Sequence, residues 1–151
     1  MNIAKHSKDL NSRQSQKRRF PDWIKNSSNF LPSILLASLL GTYLDLYFIG
    51  KGFYCFPIRP MSTVFSINIA FTLIGLPLLI GVFLYACNKM NSWGIGGLII
   101  ILSLLMAVGE KQAETFGLFV HSVSWNHIYS LIGYIPYLTF IYSLYCWSKP
   151  G

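Results

Sequence analysis

The chain carries only three acidic residues beyond residue 29, and two of them lie at helical spacing. Glu110 and Glu114 are four residues apart, so a helix would place both carboxylates on the same face. Asp45 lies within a long apolar run, where an ionised carboxylate is costly unless it is paired or functional. Together with an arginine and two histidines, these residues are predicted to form one polar cluster: Asp45, Arg59, Glu110, Glu114, His121 and His127.

Two interpretations of this cluster are favoured by its residue types. In the first, Arg59, held in a stiff segment between Pro57 and Pro60, neutralises Asp45 and Glu110 in an ion-pair network that holds helices together. In the second, the same groups bind a small polar ligand, an ion or a lipid headgroup. We expect the structural network, and the binding site is the alternative.

Metal binding and catalysis are supported less well by the sequence. Metal binding would use His121, His127 and the two glutamates, but the segment from Glu110 to Glu114 lacks the His-Glu-x-x-His pattern of helical zinc sites. Ser122 lies beside His121, yet nothing in the sequence brings a nucleophile, a base and an orienting acid together in space. We expect no catalytic residue, no metal and no cofactor. Enzymatic activity is therefore not predicted, although the sequence leaves the question open.

The elements that position these residues follow from composition. The chain is 53% hydrophobic and only 11% charged, whereas a soluble domain of this length carries about 25% charged residues to cover its surface. Crossing a bilayer takes about 20 mostly apolar residues in a helix. Four runs satisfy this length, so the predicted fold is an all-α, polytopic four-transmembrane-helix bundle with spans over residues 30–49, 63–87, 93–113 and 127–147.

The basic residues predict the orientation of this bundle. Seven of the twelve Lys and Arg residues precede the first apolar run, in a polar tail over residues 1–29 that is predicted to be flexible. If this tail lies inside, nine Lys and Arg residues fall on the inner side and three on the outer side, which favours a cytoplasmic N-terminus. The short C-terminus, residues 148–151, is then also cytoplasmic. The polar cluster lies near the outer surface.

The expected partners follow from the same arrangement. A basic tail beside a membrane segment can contact anionic lipid headgroups, so membrane lipids are the first predicted partner. A homo-oligomer or an unidentified membrane partner is also possible, whereas nucleic acid is excluded because no groove-reading or base-stacking element is present. Cys55, Cys87 and Cys146 are expected to be free thiols, since the outer Cys55 lies too far from the inner pair.

Four segments of the chain carry a resemblance to known proteins: Leu40–Tyr47, Phe56–Pro60, Glu110–Lys111 with Glu114 and Gly117, and His121–Ser130. Together they resemble a family of small multi-spanning membrane proteins of unknown function from spore-forming Gram-positive bacteria. The resemblance covers about residues 31–147 and leaves out the basic tail. It implies a four-helix membrane fold and a bacterial plasma-membrane location, and it assigns no role to any residue.

The sequence therefore predicts a multi-pass protein of the cell membrane without enzymatic activity, acting as a structural or partner-binding component. The alternative is a protein that binds or transports a small ligand, an ion or a lipid headgroup through the outer polar cluster. A chain of 151 residues is small for a transporter that alternates access alone, which places transport second.

Overall fold

The computed structural model describes residues 30–149, which form four helices and one short pair of strands. The prediction of an all-α fold is confirmed. The predicted basic tail over residues 1–29 and the final residues 150–151 lie outside the described part of the chain. The elements are α1 (Leu31–Gly50), β1 (Tyr54–Cys55), α2 (Phe71–Cys87), α3 (Ser92–Thr115), β2 (Val120–His121) and α4 (His127–Ser148).

Three of the four helices begin and end within two residues of the predicted apolar runs, and the second does not. The run predicted from residue 63 forms turns first, and α2 begins at Phe71. The turns are held by the guanidinium of Arg59, which donates hydrogen bonds to the backbone oxygens of Phe56, Ser62 and Phe65. Met61 adopts a positive φ of 54°, which a right-handed α-helix does not contain.

The first turns of α2 are wider than an α-helix. Residues Phe71–Gly75 form a π-helical segment, and the α-helical part runs over Leu76–Cys87. Pro77 lies two residues after the end of this segment and has no N–H to donate to the preceding turn. A proline inside a helix is expected to distort it, and Pro77 and Pro136 are the two prolines that lie beyond the first turn of a predicted span. At Pro77 the distortion takes the form of this π segment, while α4 continues through Pro136.

The core of the bundle lies between α1, α2 and α4. Ala37 of α1, Ile80 of α2 and Leu138 of α4 are all fully buried. The phenol of Tyr137 donates a hydrogen bond of 2.8 Å to the backbone oxygen of Ala37, which joins α4 to α1. Helix α3 packs mainly on α4, and its buried residues, Ile95, Ile99, Ser103 and Ala107, follow one another at intervals of four.

Two helices, α1 and α3, are long and apolar enough to cross a membrane by length and composition. Only 11% and 22% of their most apolar windows are buried inside the bundle. A core helix of a soluble protein buries most of such a window, so this pattern indicates association with a membrane. Helix α2 is apolar but shorter, and α4 carries five tyrosines that lower its mean hydropathy.

Close contact between α1 and α2 depends on Gly41. A Cβ atom at this position would lie 2.5 Å from Cδ2 of Leu76, a side chain that is itself 4% exposed. Gly41→Leu should therefore destabilise the fold by about 1–3 kcal/mol through overpacking, seen as a lower midpoint of thermal unfolding in detergent. Gly96→Leu is the matched control, because, apart from its chain neighbours and the local backbone of α3, no atom of residues 30–149 lies within 4 Å of a Cβ atom placed at that position. Equal midpoints for the two variants would contradict this packing.

Candidate functional site

The two connections at one end of the bundle are joined by the strand pair. Strands β1 and β2 are antiparallel, with Tyr54 opposite His121 and Cys55 opposite Val120. The backbone N–H of Ser122 donates a further bond of 2.8 Å to the oxygen of Phe53. This pairing places the segment after α1 and the segment after α3 side by side, above the ends of both helices.

Two of the predicted carboxylates lie at this end and are each hydrogen-bonded to a tyrosine. The phenol of Tyr54 donates a bond of 2.7 Å to Oδ1 of Asp45, and the phenol of Tyr134 donates to Oε1 of Glu110. Burial, reinforced by the neighbouring Asp45 carboxylate, raises the pKa of Tyr54 well above its usual range. The phenol therefore keeps its proton and remains a donor.

Glu114 lies between the two histidines. Its Oε1 is 3.3 Å from Nε2 of His121, and its Oε2 is 3.1 Å from Nε2 of His127. The two imidazole rings meet edge to face with their centroids 5.0 Å apart. On the far side of His127, Nδ1 is 3.8 Å from Oε2 of Glu110, and neither of these buried atoms has a hydrogen-bond partner among residues 30–149.

Arg59 does not belong to this cluster, so the predicted ion pairs with Asp45 and Glu110 are wrong. Its guanidinium donates hydrogen bonds to backbone oxygens of the connection between α1 and α2, in which Arg59 itself lies. The five N–H donors of a guanidinium can bond several carbonyl oxygens of one turn at once. Pro57 and Pro60 lie on either side of Arg59 and restrict the backbone of that turn. Within the described chain, the carboxylates have histidines as their only ion-pair partners.

Aromatic side chains surround the cluster. The ring of Trp125 lies 5.2 Å from that of Phe48 and 5.3 Å from that of Phe53, with Tyr54 and Tyr129 also within 6 Å. Such tilted and edge-to-face contacts stabilise aromatic groups beyond the burial of their surface. The connection between α3 and α4 is thus held against α1 by aromatic contacts.

Two adjoining cavities, of about 210 Å³ and 470 Å³, lie beside the tyrosine-bound carboxylates. Asp45, Tyr54, Glu110 and Tyr134 line both of them. The smaller cavity is bounded by all four helices and by Trp125. The larger one extends towards apolar side chains of α2 and α3.

Three residues of the site were not predicted from the sequence: Tyr54, Tyr134 and Trp125. By residue type alone, Tyr134 suits packing inside a helix bundle and Trp125 suits a membrane interface. A buried phenol needs a hydrogen-bond partner, which is the only signal that could have suggested a role. That signal does not identify Glu110, which lies 24 residues earlier in the chain.

The arrangement can bind a cation, but it does not assemble a catalytic triad. The hydroxyls of Ser122 and Ser124 bond to each other at 2.8 Å, and Nδ1 of His121 faces the backbone oxygen of Ser122. No protein-family model, curated protein or solved structure matches the chain. A function can therefore be assigned to this site only from its own geometry and chemistry.

Double-mutant cycles test which groups partner Asp45. Asp45→Asn and Tyr54→Phe should show a coupling energy of about 0.5–3 kcal/mol in unfolding experiments, because the two side chains share a hydrogen bond. Asp45→Asn and Arg59→Gln should be additive within about 0.5 kcal/mol, since the two residues share no partner. Strong coupling between Asp45 and Arg59 would instead support the ion pair predicted from the sequence.

Proposed function

We propose that this chain is a four-span protein of the bacterial plasma membrane that binds a small organic cation near its outer surface. Four spans are supported by helix length: the 22 residues of α4 extend about 33 Å at 1.5 Å per residue, against a hydrocarbon core of about 30 Å. They are supported also by the exposed apolar side chains on every helix. The excess of Lys and Arg on one side favours cytoplasmic termini.

Thiol labelling in intact cells tests this topology. Cys55 is exposed and lies on the proposed outer side, so it should react with a membrane-impermeant maleimide. In a chain whose three native cysteines are replaced by serine, Met90→Cys introduces an exposed thiol in the connection between α2 and α3, on the proposed inner side. It should react only after the cells are permeabilised. Labelling of both positions in intact cells would refute the orientation.

The observation that carries the ligand proposal is the pair of carboxylates facing one cavity without a lysine or arginine beside them. Asp45 and Glu110 both line the smaller cavity, and no described Lys or Arg nitrogen forms an ion pair with either. The structural network expected from the sequence needed Arg59 as its cation. Since Arg59 lies elsewhere, the two carboxylates have tyrosine donors and the His127 ring but no Lys or Arg among residues 30–149, and a bound cation would neutralise their charge.

The walls of the cavity select the kind of cation. Phe48, Phe71, Trp125 and Tyr129 place aromatic rings around the carboxylates, and the faces of such rings attract quaternary or protonated amines. An anion would be repelled by the carboxylates, and a neutral apolar ligand would leave them without water. At about 30 Å³ per water, the smaller cavity holds the volume of roughly seven waters, which suits a ligand of few heavy atoms.

Choline and its uncharged isostere, in which carbon replaces the nitrogen, test this proposal as a matched pair. Purified protein in detergent should bind choline saturably in isothermal titration calorimetry and should bind the isostere at least about tenfold more weakly, the loss equivalent to 1.4 kcal/mol. Asp45→Asn and Glu110→Gln should each weaken choline binding by a similar factor, because each removes one of the two charges that face the cavity.

Gly96→Leu provides the control for these variants, because position 96 is remote from the cavity lining. Equal binding of choline and the isostere would show that the cavity recognises shape rather than charge. Undiminished choline binding in both carboxylate variants would place the ligand elsewhere. Either result overturns the proposal.

A further inference from the structure

A second group of side chains lies at the outer edge of the cluster, beyond the cavity lining. Glu114 belongs to α3, His121 to β2, and His127 is the first residue of α4. One ligand atom from each of the three residues lies within 4.8 Å of the others. None of the three lines either cavity, so what this group binds is a separate question from the organic cation.

The spacing of these atoms suits a single metal ion. Ligands at about 2.0–2.1 Å from a tetrahedral zinc ion lie roughly 3.3 Å from one another. The two glutamate oxygens lie 3.3 Å and 3.1 Å from Nε2 of His121 and of His127. One ligand atom from each of the three residues lies within 4.8 Å of the other two, so these atoms must approach by at most about 1.5 Å to hold one ion between them.

The second ring nitrogen of each histidine, Nδ1, also supports binding of a metal ion at Nε2. Nδ1 of His121 lies 2.9 Å from the backbone oxygen of Ser122, which can only accept, so this nitrogen carries the proton and Nε2 is left with a lone pair. Nδ1 of His127 faces the carboxylate of Glu110 at 3.8 Å. Metal-bound histidines are typically oriented in this way, by a carbonyl or a carboxylate at the second nitrogen.

We infer that Glu114, His121 and His127 bind one divalent transition-metal ion, with Zn²⁺ as the best match. Two imidazoles and one carboxylate suit Zn²⁺ and its neighbours rather than Mg²⁺ or Ca²⁺, which prefer oxygen ligands. This differs from the absence of a metal expected from the sequence. A bound ion would hold the connection between α3 and α4, and with it Trp125, against the end of α3.

Zinc titration of the full chain tests the inference. Protein purified without a histidine tag and stripped with a chelator should bind one Zn²⁺ per chain, and an excess of Mg²⁺ should not displace it. His121→Gln and His127→Gln should each weaken zinc binding by at least about 100-fold, and Glu110→Gln by about 10–100-fold through the orientation of His127. His6→Gln, which changes the remaining histidine, is the matched control.

X-ray absorption of the zinc-loaded wild-type chain gives a result that does not depend on any variant folding. The spectrum should show two imidazoles and oxygen around the ion. Sulfur ligands would place the metal on the free cysteines instead, and failure of the folded wild-type chain to bind zinc would overturn the inference outright. Choline affinity of the zinc-free protein reports on the cavity separately, so either proposal can fail while the other stands.

Discussion

A carboxylate that leaves water must find hydrogen-bond donors or a counter-charge, because its desolvation otherwise costs more than a helix bundle can offset. Three carboxylates at one end of this bundle meet that demand with polar partners from three different elements. Tyr54 comes from β1, Tyr134 from α4, and the two histidines of Glu114 from β2 and the start of α4. The positions of the connections follow from this need.

The helices could be predicted because their cause is local. About 20 apolar residues in succession have few alternatives to a helix in an apolar surrounding, and three of the four runs matched the structure within two residues. The start of α2 could not be predicted in this way. The apolar run extends back from α2 to Thr63. The guanidinium of Arg59 bonds the backbone oxygens of Ser62 and Phe65, and the start of the run therefore forms turns instead of helix.

The site was predicted only in part, since its partners are distant in sequence. The four-residue spacing of Glu110 and Glu114 placed both on one helix face, and both lie in the cluster beside the two histidines. Arg59 was predicted to be the counter-ion because it follows the first apolar run in a stiff segment between Pro57 and Pro60. Charge alone could not show that backbone oxygens would bind it first, or that tyrosines would serve the carboxylates instead.

The order in which the partners appear along the chain has a consequence for biosynthesis. A ribosome adds about 5–20 residues per second, so Tyr54, nine residues after Asp45, is synthesised about 0.5–2 s later. Glu110 waits for Tyr134, 24 residues later, and Tyr134 emerges only when α4 is being made. Every nascent chain therefore passes through a stage in which α3 has been made and Glu110 still lacks its tyrosine partner. A chain truncated before α4 would remain in that stage, because it would never acquire the tyrosine that donates to Glu110.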